Sequence, residues 1–138
     1  MIDLTLNAPN SIDSLTGFIQ KTVTNAGYSK VVLGVSGGID SSLSAFLSVR
    51  ALGADNVLAL RLPYKTSSPE SLEHAQLVID QLGVPSKTID ITPAVDAVLE
   101  NHPDATPVRR GNVMARIRMT NIYDQSAAFP GLVVGTGN

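Results

Sequence analysis

The sequence contains no cysteine and no tryptophan. The first absence excludes disulfides, thiolate metal sites and a cysteine nucleophile, and it fits a cytoplasmic protein. Aromatic residues make up only 4%, so the core has to be built from Val, Leu, Ile and Ala. A basic excess is also missing. Ten Lys and Arg face twelve Asp and Glu, for a net charge of -2. That balance argues against an extended nucleic-acid surface; only Arg109, Arg110, Arg116 and Arg118 form a local basic group. No apolar run is long enough to cross a bilayer. The opening segment MIDLTLNAPNS has no basic stretch followed by an apolar one, so no signal peptide is visible. Neither a nucleic-acid partner nor a membrane is therefore expected. There is no internal repeat or low-complexity tract. What remains is 138 residues, 43% of them hydrophobic, enough for one domain spanning residues 1–138.

Helical and extended patterns alternate along the chain. Ile12, Leu15, Ile19, Val23 and Ala26 recur at helical spacing, with Asn10 or Ser11 as cap and Gly27 as stop. Residues 30–35 form a Val-rich run that reads as a buried strand. Residues 40–52 form a helix with Leu43, Phe46, Leu47 and Ala51 inward. A second strand, 57–62, ends at Pro63. Ser68-Pro69-Glu70 gives a cap, a first-turn proline and a first-turn acid for a helix that Leu72, Ala75, Ile79 and Leu82 carry to Gly83. Residues 87–91 are a third strand. Thr92-Pro93 opens a helix with Val95, Val98 and Leu99 inward. A loop over 101–111 precedes an Arg-rich helix from 112 to about 128, and 132–134 are a fourth strand. The alternation predicts an α/β fold, an open parallel sheet with helices on both faces. Such sheets bind ligands at the carboxyl ends of their strands.

The most informative segment is Ser36-Gly37-Gly38-Ile39-Asp40-Ser41, placed between the first strand and the helix after it. The glycines permit a tight turn and close backbone approach to a ligand. The amides of the helix start, its dipole, and the hydroxyls of Ser36, Ser41 and Ser42 suit phosphate. The G-x-x-x-x-G-K-[ST] pattern and its lysine are absent, as is G-x-G-x-x-G. Asp40 is the departure that carries information. A carboxylate beside a polyphosphate requires a cation between them, and Mg²⁺ held by one or two carboxylates plus phosphate oxygens is the usual solution. The plainer alternative is a βα turn with an acid in the first turn of a helix.

The segment resembles the pyrophosphate loop of N-type ATP pyrophosphatases, which cleave ATP between its α- and β-phosphates and adenylate a substrate. Three further segments resemble one branch of that group, the NAD synthetases. These are Leu60-Arg61-Leu62-Pro63-Tyr64, the helix Arg110-Gly111-Asn112-Val113-Met114-Ala115-Arg116-Ile117-Arg118-Met119, and Val134-Gly135-Thr136-Gly137-Asn138. Order and spacing match from Lys30 to Asn138. The resemblance implies an adenine nucleotide alpha hydrolase-like, Rossmann-like fold. It implies that Gly34, Val35, Ser36, Gly37, Gly38, Ile39, Asp40 and Ser41 hold the ATP phosphates, with Ser36 and Asp40 catalytic and Asp40 on Mg²⁺. Arg61 and Thr136 are implied to contact ATP, and Arg116 the substrate deamido-NAD.

The residues support these roles unequally. Arg116 suits a carboxylate or phosphate through its planar guanidinium, but a solvated basic face explains it equally well. Arg118, two positions on, points elsewhere on the helix and reads as a structural pairing residue. Arg61 sits at a carboxyl strand end, where a rim ion pair is the alternative, and Thr136 is otherwise a turn residue. His74 and His102 have no companion at metal-ligand spacing. Residues 64–68 are either a flap over ATP or a connector.

The resemblance also implies residues beyond Asn138: a glutamate completing the magnesium site, a K-Y-G-D-G-G segment and further substrate contacts. The chain is expected to be an N-terminal portion of a longer enzyme. With no glutaminase domain before Met1, the ammonia-dependent form is expected, as is a homodimer. The implied reaction joins deamido-NAD, ATP and ammonia into NAD, AMP and pyrophosphate through an acyl-adenylate. Two other readings stand beside it: another ATP pyrophosphatase, such as a tRNA-modifying enzyme, and a nucleotide-binding module without catalysis.

Overall fold

The computed structural model describes residues 5–136. Four strands, β1 (Val31–Gly34), β2 (Val57–Arg61), β3 (Ser86–Thr88) and β4 (Leu132–Val133), form one sheet in the order β3-β2-β1-β4. Every neighbouring pair is parallel; β1 pairs Val31 with Val57 on one side and with Leu132 on the other. Helices α1 (Ala8–Asn25), α2 (Ile39–Leu52), α3 (Pro69–Leu82), α4 (Thr92–Leu99) and α5 (Pro107–Ala128) make up the rest of the regular structure, with one short 3₁₀ turn at Ala54–Asn56.

Strand side chains alternate between faces, and the two faces find different partners. Val31, Leu33, Val35, Val57 and Ala59 cluster with Val23 of α1, Ala45 of α2, and Ala75 and Ile79 of α3. Val32, Leu58 and Leu60 cluster with Val95 and Leu99 of α4, against which Val113, Ile117 and Ile122 of α5 pack. The expected parallel sheet with helices on both faces is what forms. From β1 the chain steps outward to β2 and β3 over the α1–α3 face. It then returns over the opposite face, through α4 and α5, to place β4 on the other side of β1. The order therefore reverses at β1, and the crevice at its carboxyl end is where such sheets take ligands.

Several sequence expectations are corrected. Helix α1 starts earlier, at Ala8, because the Asn7 side chain accepts from the Asn10 amide, and Leu15 is 46% exposed. On α2, Leu43 and Phe46 are exposed. The helix instead buries Ser41, Ala45, Leu47 and Ser48, three of them small enough for a close approach to the sheet. Val98 of α4 also faces outward. The α5 helix begins at Pro107, five residues before the expected start, because the Thr106 hydroxyl caps it by accepting from the Arg109 amide. The strands are shorter than read, β3 most of all.

The sheet centre carries the stability. Leu33 is fully buried, whereas Leu77 is 56% exposed. Leu33→Ala is expected to cost about 2–5 kcal/mol through lost burial and the cavity left behind. Leu77→Ala is expected to stay within about 0.5 kcal/mol of wild type. Urea denaturation of the two variants checks this; equal midpoints would mean the β1 core has been misidentified.

Candidate functional site

The turn after β1 is shaped by its two glycines in different ways. Gly37 has φ +86°, and a Cβ there would lie 2.3 Å from the Ser71 carbonyl oxygen in the first turn of α3. Only glycine fits, on both conformational and steric grounds. Gly38 has ordinary extended angles, φ -80° and ψ 162°, and a Cβ there would meet only Ser36 Oγ at 3.4 Å. The fold thus requires Gly37; any need for glycine at 38 comes from space for a ligand.

Hydroxyls brace the turn. The Ser36 amide donates to Ser41 Oγ (3.2 Å), and the Gly38 amide donates to Ser36 Oγ (3.3 Å). Ser41 and Ser42 donate from their hydroxyls to the Gly38 carbonyl at 3.1 and 2.8 Å. Helices α1, α3 and α5 are capped by the side chains of Asn7, Ser68 and Thr106; α2 has no side-chain cap. Its first-turn amides therefore face outward beside Ser36, with the positive end of the helix dipole, an arrangement that suits an anion.

A cleft of about 370 Å³ opens at the carboxyl ends of β1, β2 and β4, a size common for small-molecule sites. Gly34, Val35 and Ser36 form one side, Arg61, Leu62 and Pro63 another, and Thr136 closes it from the end of β4. The start of α3 contributes Ser67, Ser68, Ser71, Leu72 and Ala75, and α5 contributes Arg118 and Ile122. Arg61 is steadied by donation from Nε to Thr88 Oγ1 at 3.0 Å. Two guanidiniums and several hydroxyls stand beside Leu60, Leu72 and Ile122. The combination serves a ligand that is charged at one part and flat and apolar at another.

Of the residues singled out in the sequence, the cleft brings together Gly34, Val35, Ser36, Arg61 and Thr136. Gly37, Gly38, Ile39, Asp40 and Ser41 form the turn and helix start at its edge. Ser41 is buried, Asp40 is exposed and Ile39 is 81% exposed. Arg116 is exposed on α5 and does not line the cleft. Gly137 and Asn138 lie outside the described residues. Among those described, no three His, Cys, Asp or Glu side chains converge as a metal cluster.

Arg118 was read as structural, and the structure gives it two roles. Its Nε donates to the Leu62 carbonyl at 3.0 Å, and its side chain lines the cleft. Burial pulls its guanidinium below its ordinary pKa, though arginine stays protonated in proteins. Ser67 and Ser68, in the segment read as either a flap over ATP or a connector, line the cleft; Ser71, which lines it too, was missed. The cue was present, since Ser68-Pro69 marks a helix start, but only the fold shows that this start faces Gly37.

Comparison with known proteins follows from this geometry. The family model described as NAD synthase matches residues 11–138. An NH(3)-dependent NAD(+) synthetase of Chlorobaculum parvum is 56% identical over 124 residues, covering 90% of this chain and 45% of that protein. One from Fusobacterium nucleatum is 49% identical over 138 residues, covering 100% of this chain and 54% of its own length. Among solved structures, an NH3-dependent NAD synthetase from Campylobacter jejuni superposes with a TM-score of 0.91 at 40% identity, over 97% of this chain and 58% of that one. The chain thus spans about half the length of the relatives it matches.

Gly37→Ala is expected to destabilise the fold by roughly 2–4 kcal/mol, from the left-handed angle and the clash with the Ser71 carbonyl together. Gly38→Ala is expected to be near neutral. Thermal melts followed by circular dichroism decide it; a Gly37→Ala protein as stable as wild type would refute the close approach.

Proposed function

Because the chain belongs to the NAD synthase family, we propose that it forms the ATP-cleaving part of an ammonia-dependent NAD synthetase. In this reading the whole protein converts deamido-NAD, ATP and ammonia into NAD, AMP and pyrophosphate. The observation that carries it is the cleft at the reversal of strand order. There the braced Ser36–Ser41 turn, the uncapped start of α2 and the two guanidiniums meet.

The triphosphate lies along the turn. The first-turn amides of α2 and the hydroxyl of Ser36 orient it and stabilise charge as the α–β bond breaks. Ser36 and Asp40 are thus the catalytic candidates of the chain. Thr136 and Arg61 contact the nucleotide from the ends of β4 and β2, while Leu72 and Ile122 give the adenine an apolar surface.

Asp40 fits a magnesium ion in one specific way. It is exposed at the start of α2, and no described cation forms an ion pair with it. A single carboxylate without a surrounding cluster suits an ion held chiefly by phosphate oxygens and water. Bound there, Mg²⁺ would neutralise charge on the departing pyrophosphate. The nicotinate carboxylate attacks the α-phosphorus, and ammonia then displaces AMP from the acyl-adenylate. In this reading Arg116, on the exposed side of α5, meets the acidic dinucleotide rather than ATP.

The working unit is taken to be a cytoplasmic homodimer made of single ATP-binding domains of this kind. No described helix is long and apolar enough to cross a membrane. The tRNA-modifying alternative gains no support from the three relatives named above, each of them an NAD synthetase.

The test is an assay of the full-length enzyme with Mg·ATP, deamido-NAD and ammonia, following NAD and pyrophosphate. Asp40→Asn is expected to lower kcat on the order of a hundredfold, with partial recovery at high Mg²⁺. Arg116→Ala is expected to raise the KM for deamido-NAD about tenfold and leave that for ATP nearly unchanged. Pyrophosphate release that requires tRNA instead of deamido-NAD would overturn the reading. Equal losses for both ligands in Arg116→Ala would reassign that residue to the fold.

A further inference from the structure

The segment 62–68, between β2 and α3, forms one wall of the cleft through Leu62, Pro63, Ser67 and Ser68. A polar connector of this kind has no core of its own and is ordinarily among the most mobile parts of a fold. Here it is tied down from the opposite face of the sheet. We propose that Asp96, on α4 and outside the cleft lining, is a positioning residue that fixes this wall in its ligand-ready shape.

The ties converge on one carboxylate. The Tyr64 hydroxyl donates to Asp96 Oδ1 at 2.9 Å, and Lys65 Nζ donates to Asp96 Oδ2 at 2.5 Å. Consecutive residues of the segment thus bind the two oxygens of one side chain. Tyr64 is 6% exposed within the cluster built on α4, so its ring anchors the segment while its hydroxyl sets the ring's depth. Lys65 Nζ also lies 5.5 Å from the centre of the Tyr64 ring, within cation–π range. One turn earlier on α4, Thr92 Oγ1 accepts from the Lys65 amide at 2.9 Å.

Shorter links complete the segment. The Tyr64 amide donates to Ser67 Oγ at 3.0 Å, and the Ser67 amide donates to the Tyr64 carbonyl at 2.7 Å. Ser67 therefore lines the cleft in a position dictated by Tyr64. Upstream, Arg118 holds the Leu62 carbonyl. The wall is pinned at both ends, by α5 at residue 62 and by α4 at residues 64 and 65.

The groups facing Asp96 agree with the arrangement. Hydrogen bonds from Lys65 and then Tyr64 hold its carboxyl below the usual carboxylate range, with Arg110 of α5 adding attraction. Lys65 is correspondingly raised, chiefly by its bond to Asp96. Asp90, just before α4, feels the like charge of Asp96, but hydrogen bonds from Thr92 outweigh it and hold the Asp90 carboxyl below the usual carboxylate range. The Lys65–Asp96 pair is about half exposed, so its strength by itself is modest. The effect comes from two bonds to one acceptor group and a buried ring.

Amide hydrogen exchange on the 138-residue chain reads the anchoring directly. Asp96→Ala is expected to speed exchange at Tyr64, Lys65 and Ser67 by about tenfold, while β1 and β2 keep wild-type rates. Asp96→Glu, which retains the acceptors, is expected to recover part of the protection. Should Asp96→Ala fail to fold, Lys65→Met and Tyr64→Phe each remove one tie and are expected to loosen the same amides by less. Unchanged exchange at 64–67 in folded variants would overturn the proposal, as would acceleration spread evenly over the sheet. The consequence for the cleft rests on the nucleotide reading above and is measured separately, by titrating the full-length enzyme, wild type and Asp96→Ala, with Mg·ATP. About tenfold weaker binding in the variant supports the positioning role; equal affinity with a loosened segment refutes it. Absence of any Mg·ATP binding by wild type would instead overturn the nucleotide reading, and the exchange rates would still decide whether Asp96 anchors the wall.

Discussion

The turn at Gly37 passes so close to the first turn of α3 that no side chain can stand between them. That contact decides what the rest of the chain has to do. It fixes α3 against the end of β1, so the serines at 68 and 71 line the cleft together with Ser36. It leaves α2 to begin at Gly38 with no side-chain cap, in contrast to α3, which uses Ser68. Two helix starts therefore converge on one point, one satisfied internally and the other presenting its amides. The anion site proposed here rests on backbone geometry, with the hydroxyls of Ser36 and Ser41 holding that geometry in place.

The sheet supplies the second half of the arrangement. β1 is buried on both faces and flanked by β2 and β4. At its carboxyl end, segments from three strands and helices from both faces meet. Residues distant in sequence, Ser36, Arg61, Arg118 and Thr136, arrive there without any of them being neighbours along the chain. Gly34 contributes by omission: a Cβ would lie 3.3 Å from Ile122 Cδ1, so its absence lets α5 lie close against the cleft.

Most of the fold was legible because its signals are local. The Val-rich strands, the Ser68-Pro69 cap and the Gly83 stop sit where the pattern places them. The failures have specific causes. The Thr106-Pro107 start of α5 carries the same code as Ser68-Pro69. It lies within residues 101–111, read as a loop, of which 107–111 are helical. On α2, hydrophobicity pointed to Leu43 and Phe46, while the sheet required small residues. Ser41 and Ser48 are buried because their hydroxyls are satisfied by the backbone carbonyls of Gly38 and Ser44. No hydropathy scale marks such a face. The turn after β1 was readable from its six residues; at the opposite wall the sequence left flap and connector both open, since its position depends on contacts across 31 and 56 residues of sequence.

That contrast bears on how the site divides its labour. The anion-binding side is built from a strand end and a helix start, held by bonds between residues no more than five apart. The other side is a connector shaped by α4 and α5, which contribute no residue to the turn. Local bonds make the first side insensitive to changes elsewhere, whereas the second inherits every shift of the helices behind it. A nucleotide spanning both sides would meet a rigid phosphate seat and an adjustable wall. Variation in affinity or base preference among related chains should then arise from the residues that hold the wall, at 96, 92 and 118, more than from the turn that first identifies the site.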